Sequence, residues 1–405
     1  MGTRALDDIA TGMVLSRDVL DQSGRLLLPK GTTLGAGHIA VLKKHGVGTL
    51  EVHERSFRDF EPEVYDRSEA YVKPLFAAVD LGNETMQEIY RLSVRRTARR
   101  MAEGWNPPPA IEPELPASTQ DQFFSGESTP QELVSREVQL SAFPEIYFRI
   151  REELNNPRST AAHVARIVSR DTSLSAKLLR LVNSSFYGFS GRVESITRAI
   201  ALIGANELST LALGISVTNA FGDIPEELID MKEFWNHSIA VGTIARVIAA
   251  RKGIGDRERF LVEGMLHDVG RLILFKNLPN GSADALNRSR SGFMPLVQTE
   301  RDVFGFDHAL IGSLLLKQWN LPTTLEQTIR FHHSPAIAPV PLDAAIIHFA
   351  DILAIGLVFA ERGSLIVPPF QDKAWEILDL PVESLETIVE QAEEEIESVL
   401  AAFFD

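Results

Sequence analysis

The chain has no cysteine. Disulfides, thiolate metal ligands and a cysteine nucleophile are therefore excluded. No uninterrupted apolar run is long enough to cross a bilayer. The most apolar late stretch, Leu342 to Ala360, is broken by Asp343, His348 and Asp351. The opening MGTRALDDIA lacks the apolar core of a secretory signal. Positive charge is also short: 40 Lys and Arg stand against 55 Asp and Glu, a formal net charge of −15. That balance disfavours non-specific binding to nucleic acid or to an anionic membrane. A cytoplasmic location is the expectation. A hydrophobic share of 44% with 23% charged residues fits a globular protein, and 405 residues exceed one compact core.

Residues 1–55 read as a small α/β module. GMVLSRDVLDQSGRLLLPKGTTL alternates short apolar runs, and Asp21 to Gly24 supplies a turn. Ile39 to His45 fits a short helix ended by Gly46 and Gly48, and TLEV returns as a strand. Residues 56–105 read as a helical connector, two helices broken near Gly82. The second carries Arg91, Arg95, Arg96, Arg99 and Arg100. No glycine-rich anion loop follows, so a solvated basic face is favoured over a phosphate grip. Residues 106–130 hold six of the 21 prolines and read as a semi-extended linker.

From residue 131 to 405 the periodicity is almost wholly helical. Ser159 or Thr160 can cap a helix running to Ser169, and Ser173 can cap the next. Later helices are expected around Ser195–Ile203 and Glu207–Phe221, and near residues 240, 267, 312, 328 and 350. The last, Glu383 to Phe404, has Leu385, Ile388, Ala392, Ile396 and Leu400 on one face and packs on the bundle or forms a dimer seam.

Several of these helices carry polar groups on apolar stripes. FLVEGMLHDVGRLIL, from Phe260 to Leu274, reads as one buried helix, yet Asp268 shares the stripe of Leu261, Met265, Leu272 and Phe275. Burying a carboxylate unpaired costs several kcal/mol. His237 lies on the stripe of Phe234, Val241, Ile244 and Ile248, and Asp351 on that of Ile347, Ala354 and Val358. His308 opens a helix for which Asp307 is a plausible N-cap, and His332 and His333 end another. A lone histidine on such a face is usually a core residue bonded to a carbonyl, and a lone aspartate can pair with an arginine such as Arg271. Five histidines and two aspartates together need mutual partners, and one or two divalent cations would satisfy them all. Imidazole and carboxylate suit Fe, Mn, Zn or Ni. The expected ligands are His237, His267, Asp268 and Asp351 around one ion. His308, His332 and His333 would hold a second, with Asp268 bridging and His348 supporting.

The order of these residues resembles the metal ligands of the HD superfamily of phosphohydrolases. The stretch from LSAFPEIYF through RDTSLSAKLLRLVNSSFYG to IGANEL resembles the HDOD branch of that superfamily, over roughly residues 131–360. The resemblance implies a mainly α, multi-helix domain with a signalling or regulatory role in bacteria, and a family that is generally non-catalytic. Residues 5–52 resemble the N-terminal module of HD-GYP cyclic di-GMP phosphodiesterases. HHSPAIAP, however, follows where that family has its Glu and Gly-Tyr-Pro loop, and Arg271 stands in place of lysine. These departures argue against cyclic-dinucleotide hydrolysis. The expected function is thus a metal-binding signalling protein with a protein partner or a small nucleotide ligand. The alternatives are a metal-dependent phosphohydrolase, in which Arg271 touches a substrate phosphate, and a metal-free scaffold. The sequence does not set the oligomeric state.

Overall fold

A computed structural model describes residues 36–53, 60–107, 129–140, 145–184, 186–218, 224–359 and 366–404, with Asp121, Phe221 and short stretches of residues 2–34. The turn expected at Asp21–Gly24 and most of the proline-rich interval lie outside the described residues. The chain divides into two compact units, Met1–Ala70 with Val94–Asn106, and Tyr71–Ser93 with Pro107–Asp405.

The first unit contains β1 (Gly2–Ala5), β2 (Val14–Leu15), β3 (Val19–Leu20), β4 (Leu26–Leu28), α1 (Ala36–Lys44) and β5 (Thr49–His53), followed by α2 (Pro62–Val72) and the distal part of α3 (Glu84–Ala102). β5 lies between β1 and β2 in an antiparallel sheet, with Gly2 opposite Val52 and Val14 opposite His53; β3 and β4 form a separate pair. Leu6, Leu15, Val19, Leu34, Leu42 and Leu50 make its small core. The alternating apolar residues of the sequence thus supply one buried face to short strands.

The connector expected at residues 56–105 is not a body of its own. Its middle belongs to the second unit because it packs there. Phe76 and Ile89 close on Gly356, the Ser93 hydroxyl donates to the Gly356 carbonyl, and Asn83 Nδ2 donates to Asp372 Oδ1 at 3.1 Å.

The second unit is helical, and no strand occurs among the described residues after His53. Its helices are α4 (Pro130–Leu140), α5 (Glu145–Leu154), α6 (Ala161–Val168), α7 (Thr172–Val182), α8 (Ile196–Ile203), α9 (Ala205–Thr218), α10 (Met231–Arg251), α11 (Glu258–Leu266), α12 (Val269–Asn277), α13 (Pro279–Gly292), α14 (Leu296–Phe304), α15 (His308–Gln318), α16 (Thr323–Phe331), α17 (Pro341–Gly356), α18 (Asp372–Leu378) and α19 (Ser384–Phe404). Thr160, Ser195 and Asp307 cap α6, α8 and α15 through their side chains. Asp171, not Ser173, caps α7: its carboxylate accepts the Leu174 N–H at 2.9 Å and starts the helix earlier than expected. α19 buries Leu385, Ile388, Ala392 and Ile396 within this unit and packs on α10 and α7.

Two apolar cores share α11. Val262 and Leu266 point to one core with α12–α16, and Leu261 and Met265 to the other with α6–α9. Its apolar residues thus serve two cores, while Glu263 on the same helix is buried in an ion pair with Arg259 at 2.9 Å. α10 and α17 flank it and are buried along most of their length. Among the described residues no single helix is long and apolar enough to cross a membrane.

Candidate metal centre

His267 and Asp268 occupy the junction between α11 and α12, so the helix expected to run unbroken from Phe260 to Leu274 is interrupted at the chemistry. The His267 N–H reaches the Gly264 carbonyl at 3.4 Å, and the Arg271 N–H reaches that of Asp268 at 2.9 Å. These are tight three-residue turns, and Asp268 leaves helical geometry at φ −100, ψ 6. Consecutive side chains on a straight helix diverge by about 100°; the break relaxes that constraint and lets both neighbours face one space.

Two glycine contacts bring the other elements close. A Cβ on Gly264 would overlap the main chain of Gly242, so α10 and α11 touch backbone to backbone. A Cβ on Gly270 would overlap the carbonyl of His308 and crowd the N–H of Gly312, so α12 and α15 do the same. Only glycine permits such approaches. The first contact sets His237 beside His267, with ring centroids 5.3 Å apart, and the second sets His308 beside Asp268.

All seven expected side chains converge. His237, His267 and Asp268 offer ligand atoms within 4.8 Å of one another, and so do His308, His332 and His333. Asp351 Oδ1 lies 3.2 Å from His237 Nε2 and 3.7 Å from His267 Nε2. Asp268 stands between the groups: its Oδ1 is 3.1 Å from His308 Nε2 and 3.5 Å from His267 Nε2. His333 Nε2 is 2.9 Å from His308 Nε2. His237, His267, Asp268, His308, His332 and Asp351 are each at most 5% exposed.

The orientation of the imidazoles suits cation binding. Nδ1 of His267 donates to the Gly264 carbonyl at 2.7 Å, and Nδ1 of His332 to that of Ile329 at 2.7 Å. This fixes the tautomer and leaves an Nε2 lone pair on each ring. Those Nε2 atoms are buried without a hydrogen bond, as are both nitrogens of His237 and Oδ1 of Asp351. Buried polar atoms normally find partners. Orphans of this kind, clustered around two carboxylates, fit a divalent cation by donor type and by position.

Asp268 also has a conventional partner. Arg271 Nη1 donates to its Oδ2 at 2.6 Å, the pairing that the sequence allows. Oδ1 remains turned to the histidines, so the arginine satisfies half of the carboxylate. Arg271 itself is 7% exposed and lines a pocket that opens onto Asp268, His308, His333 and Asp351.

Sequence reasoning missed Glu300. Its Oε2 accepts from both the His308 N–H, at 3.0 Å, and His308 Nδ1, at 2.5 Å. It therefore orients His308 as the two carbonyls orient His267 and His332. The signal was present: Leu296, Glu300 and Phe304 are spaced by four on α14, another buried polar group on an apolar stripe. His348 lies against the backbone of His332 and Pro369.

The charge pattern follows from burial and neighbours. Burial opposes charge on His308, but Glu300 and Asp268 outweigh it and push the imidazole up to about 10. His267 is raised against burial by Asp268 and Asp351. Asp268 and Asp351 are held well below the usual carboxylate range, against burial, by the surrounding histidines and, for Asp268, Arg271. Burial, reinforced by charged neighbours, drives His332 down to about 3, and burial takes His348 down to about 4.

Opposite shifts give opposite pH slopes. The lowered histidines, His332 and His348, favour the fold above the unfolded value of about 6.5 and lose that contribution as pH falls toward their folded values, whereas the lowered aspartates lose theirs only below the unfolded carboxylate value of about 3.9. The raised groups contribute fully below about 6.5 and lose it as pH climbs through the folded value. In the presence of EDTA, stability should therefore peak near pH 6.5. It should fall by about 1 kcal/mol per pH unit below that for each lowered histidine. Urea midpoints from pH 5 to 8.5 measure this, and His348→Gln should shallow the acid limb. A midpoint that is flat from pH 7 to 5 contradicts it.

A helical body with a His/Asp cluster drawn from α10, the α11–α12 junction, α15, the end of α16 and α17 fits a domain of the HD type. Residues 140–335 match the HDOD domain family, and this part of the chain is an HDOD domain. An uncharacterised protein of Treponema pallidum is 27% identical over 199 residues, 48% of this chain; the chain spans only 38% of that relative's length. An HDOD domain protein of Geobacter sulfurreducens superposes with a TM-score of 0.53 at 24% identity, covering 68% of this chain and 97% of its own. A candidate phosphohydrolase of Shewanella amazonensis gives 0.53 at 25% identity, covering 67% of this chain and 99% of its own.

Proposed function

We propose that this chain is a cytoplasmic HDOD signalling protein whose helical domain holds one or two divalent cations, and that the state of this site is relayed to a protein partner. The single observation that carries the reading is the set of orphaned, buried donor atoms facing one space from His237, His267, His332 and Asp351. One ion would use His237, His267, Asp268 and Asp351. A second would use His308, His332 and His333, with Asp268 between them. Fe, Mn, Zn and Ni all suit these donors. The front module is the part we assign to relay.

Metal content of the full chain, purified without chelators or a metal-affinity tag, tests the proposal. One to two ions per chain are expected by elemental analysis. Asp268→Asn should lose at least half of them, because it weakens both groups. Less than a tenth of an ion per chain, after reconstitution with each of the four metals, would sink the reading in favour of a scaffold.

A second reading, a metal-dependent phosphohydrolase, is favoured by the pocket that opens onto the cluster beside Arg271. The description of the Shewanella protein agrees with it. Ions held here would act as Lewis acids on a phosphoryl oxygen. Arg271 would bind the same group, and Glu300 would keep His308 oriented. With HHSPAIAP in place of a Gly-Tyr-Pro loop, cyclic di-GMP turnover should be absent even with Mn or Fe supplied. Robust turnover abolished by Asp268→Ala would make the chain an enzyme.

A further inference from the structure

Asp351 shares α17 with Gly356, about 7.5 Å further along the helix axis at 1.5 Å per residue. Beside the cluster, Ile355, Ile366 and Pro368 form part of the pocket wall. The middle of the connector, Tyr71–Ser93, belongs to the same unit and holds both of these elements from behind.

Its first hold is on α17. A Cβ at Gly356 would lie 3.1 Å from the Phe76 ring and 3.3 Å from Cγ2 of Ile89, so both side chains press on bare main chain with no slack between them. The Ser93 hydroxyl donates to the Gly356 carbonyl, one of the carbonyls that a helix end leaves without an internal partner. Phe76, Ile89 and Ser93 are each at most 2% exposed. Just beyond, Val358 is buried with φ 56, an uncommon conformation for a β-branched residue. Such strain persists where the surroundings over-determine it, and it recurs in switch regions.

The second hold is on the pocket wall. Between Ile366 and Pro368, the Val367 N–H donates to the Leu75 carbonyl at 2.8 Å. One backbone hydrogen bond from the connector thus fixes the segment whose two neighbours face the cluster. α3, which carries Ile89 and Ser93, runs unbroken from Glu84 to Ala102, and its residues from Val94 belong to the first unit.

We propose that residues 71–93 sense the state of the metal cluster, through the end of α17 at Gly356 and through Val367. An ion would draw Asp351 toward His237 and His267, now 3.2 and 3.7 Å from its Oδ1. A helix moves as a unit, and close-packed contacts shift between arrangements rather than compress. A small displacement at Asp351 is therefore felt where Phe76 and Ile89 meet Gly356. The inference rests on the metal-binding reading and names the element through which that site is read. Linkage makes the effect mutual: a firm connector tightens the ion, and the ion firms the connector.

Hydrogen exchange followed by mass spectrometry on the full chain, with metal content measured on the same samples, tests it. Chelation should speed exchange in residues 84–93 at least about tenfold and leave α8, in the core of α6–α9, within about twofold. Ser93→Ala should weaken metal binding about three- to tenfold, and Gly356→Ala, which crowds Phe76 and Ile89, by at least as much. Val168→Ala, a cavity in the core of α6–α9, should lower stability with metal affinity unchanged within about twofold.

In metal-loaded protein, residues 84–93 that exchange alike with and without chelator overturn the inference and leave the metal reading intact. Equal acceleration of every helix does the same, and so does unchanged metal affinity in Ser93→Ala. Should the chain bind no ion, Asp351→Asn still removes the charge that faces His237 and His267. Exchange in residues 84–93 that then rises at least about fivefold refutes only the metal reading. No response there refutes both.

Discussion

Dialysis against a chelator should lower the thermal midpoint of the helical unit by about 8 °C or more, and stoichiometric return of the ion should restore it. Folded protein alone offers His237, His267, Asp268 and Asp351 in one place, so the ion stabilises only that state. At a free concentration near a thousand times Kd the contribution is about 4 kcal/mol. For a body of this size each kcal/mol moves the midpoint by roughly 2–4 °C. Differential scanning calorimetry with and without EDTA measures the effect. A shift below about 2 °C, in protein shown beforehand to carry metal, would mean that the ion adds nothing to the fold.

The second large effect concerns a residue that touches no ligand. Gly270→Ala should cost at least about 3 kcal/mol and abolish metal binding. The added methyl has no flexible side chain to push aside; it meets the carbonyl of His308 and the N–H of Gly312, both backbone. Overpacking against backbone is the costly kind, because two helices must separate. Separating α12 from α15 moves Asp268 away from His308, now 3.1 Å apart. Gly255→Ala is the control: nothing lies within 4 Å of its Cβ position, and a change within about 0.5 kcal/mol is expected. Equal urea midpoints for the two variants would show that the glycine contact is dispensable.

The candidate ligands were legible because each breaks a local rule. A histidine or aspartate on an apolar stripe is visible from spacing alone, and His237, Asp268 and Asp351 declared themselves in that way. The buried face of α19 and the caps at Thr160 and Asp307 were legible for the same kind of reason, since they depend on neighbours in sequence. What failed depended on tertiary contact. The break at His267 and Asp268 leaves no proline or glycine at the junction itself; it is imposed by packing of α11 and α12 on different partners. The close approaches at Gly264 and Gly270 cannot be told from ordinary helical glycines until the opposing helix is known. Glu300 escaped because the spacing of α13 and α14 did not stand out as helical, although Pro279 stands at the start of one and Pro295 immediately before the other. The middle of the connector followed its apolar contacts to α17, which no reading of linker composition could show.

The absence of cysteine gives the cluster one more consequence. Its members come from α10, the α11–α12 junction, α15, the end of α16 and α17, a stretch of chain running from His237 to Asp351. An ion joining them would be a reversible cross-link in a chain that can form no disulfide. Closing a loop of about a hundred residues removes on the order of 5 kcal/mol of freedom from the unfolded chain, if the closure survives there. Here it does not survive, because the donors disperse when the helices part. Long-range closure is instead deferred to the end of folding, after α10 and α17 have found α11. An interaction made so late holds back unfolding more than it speeds folding. The ion would then act as a latch on the lifetime of the assembled domain, set by how long the metal stays and by the cell's supply of it.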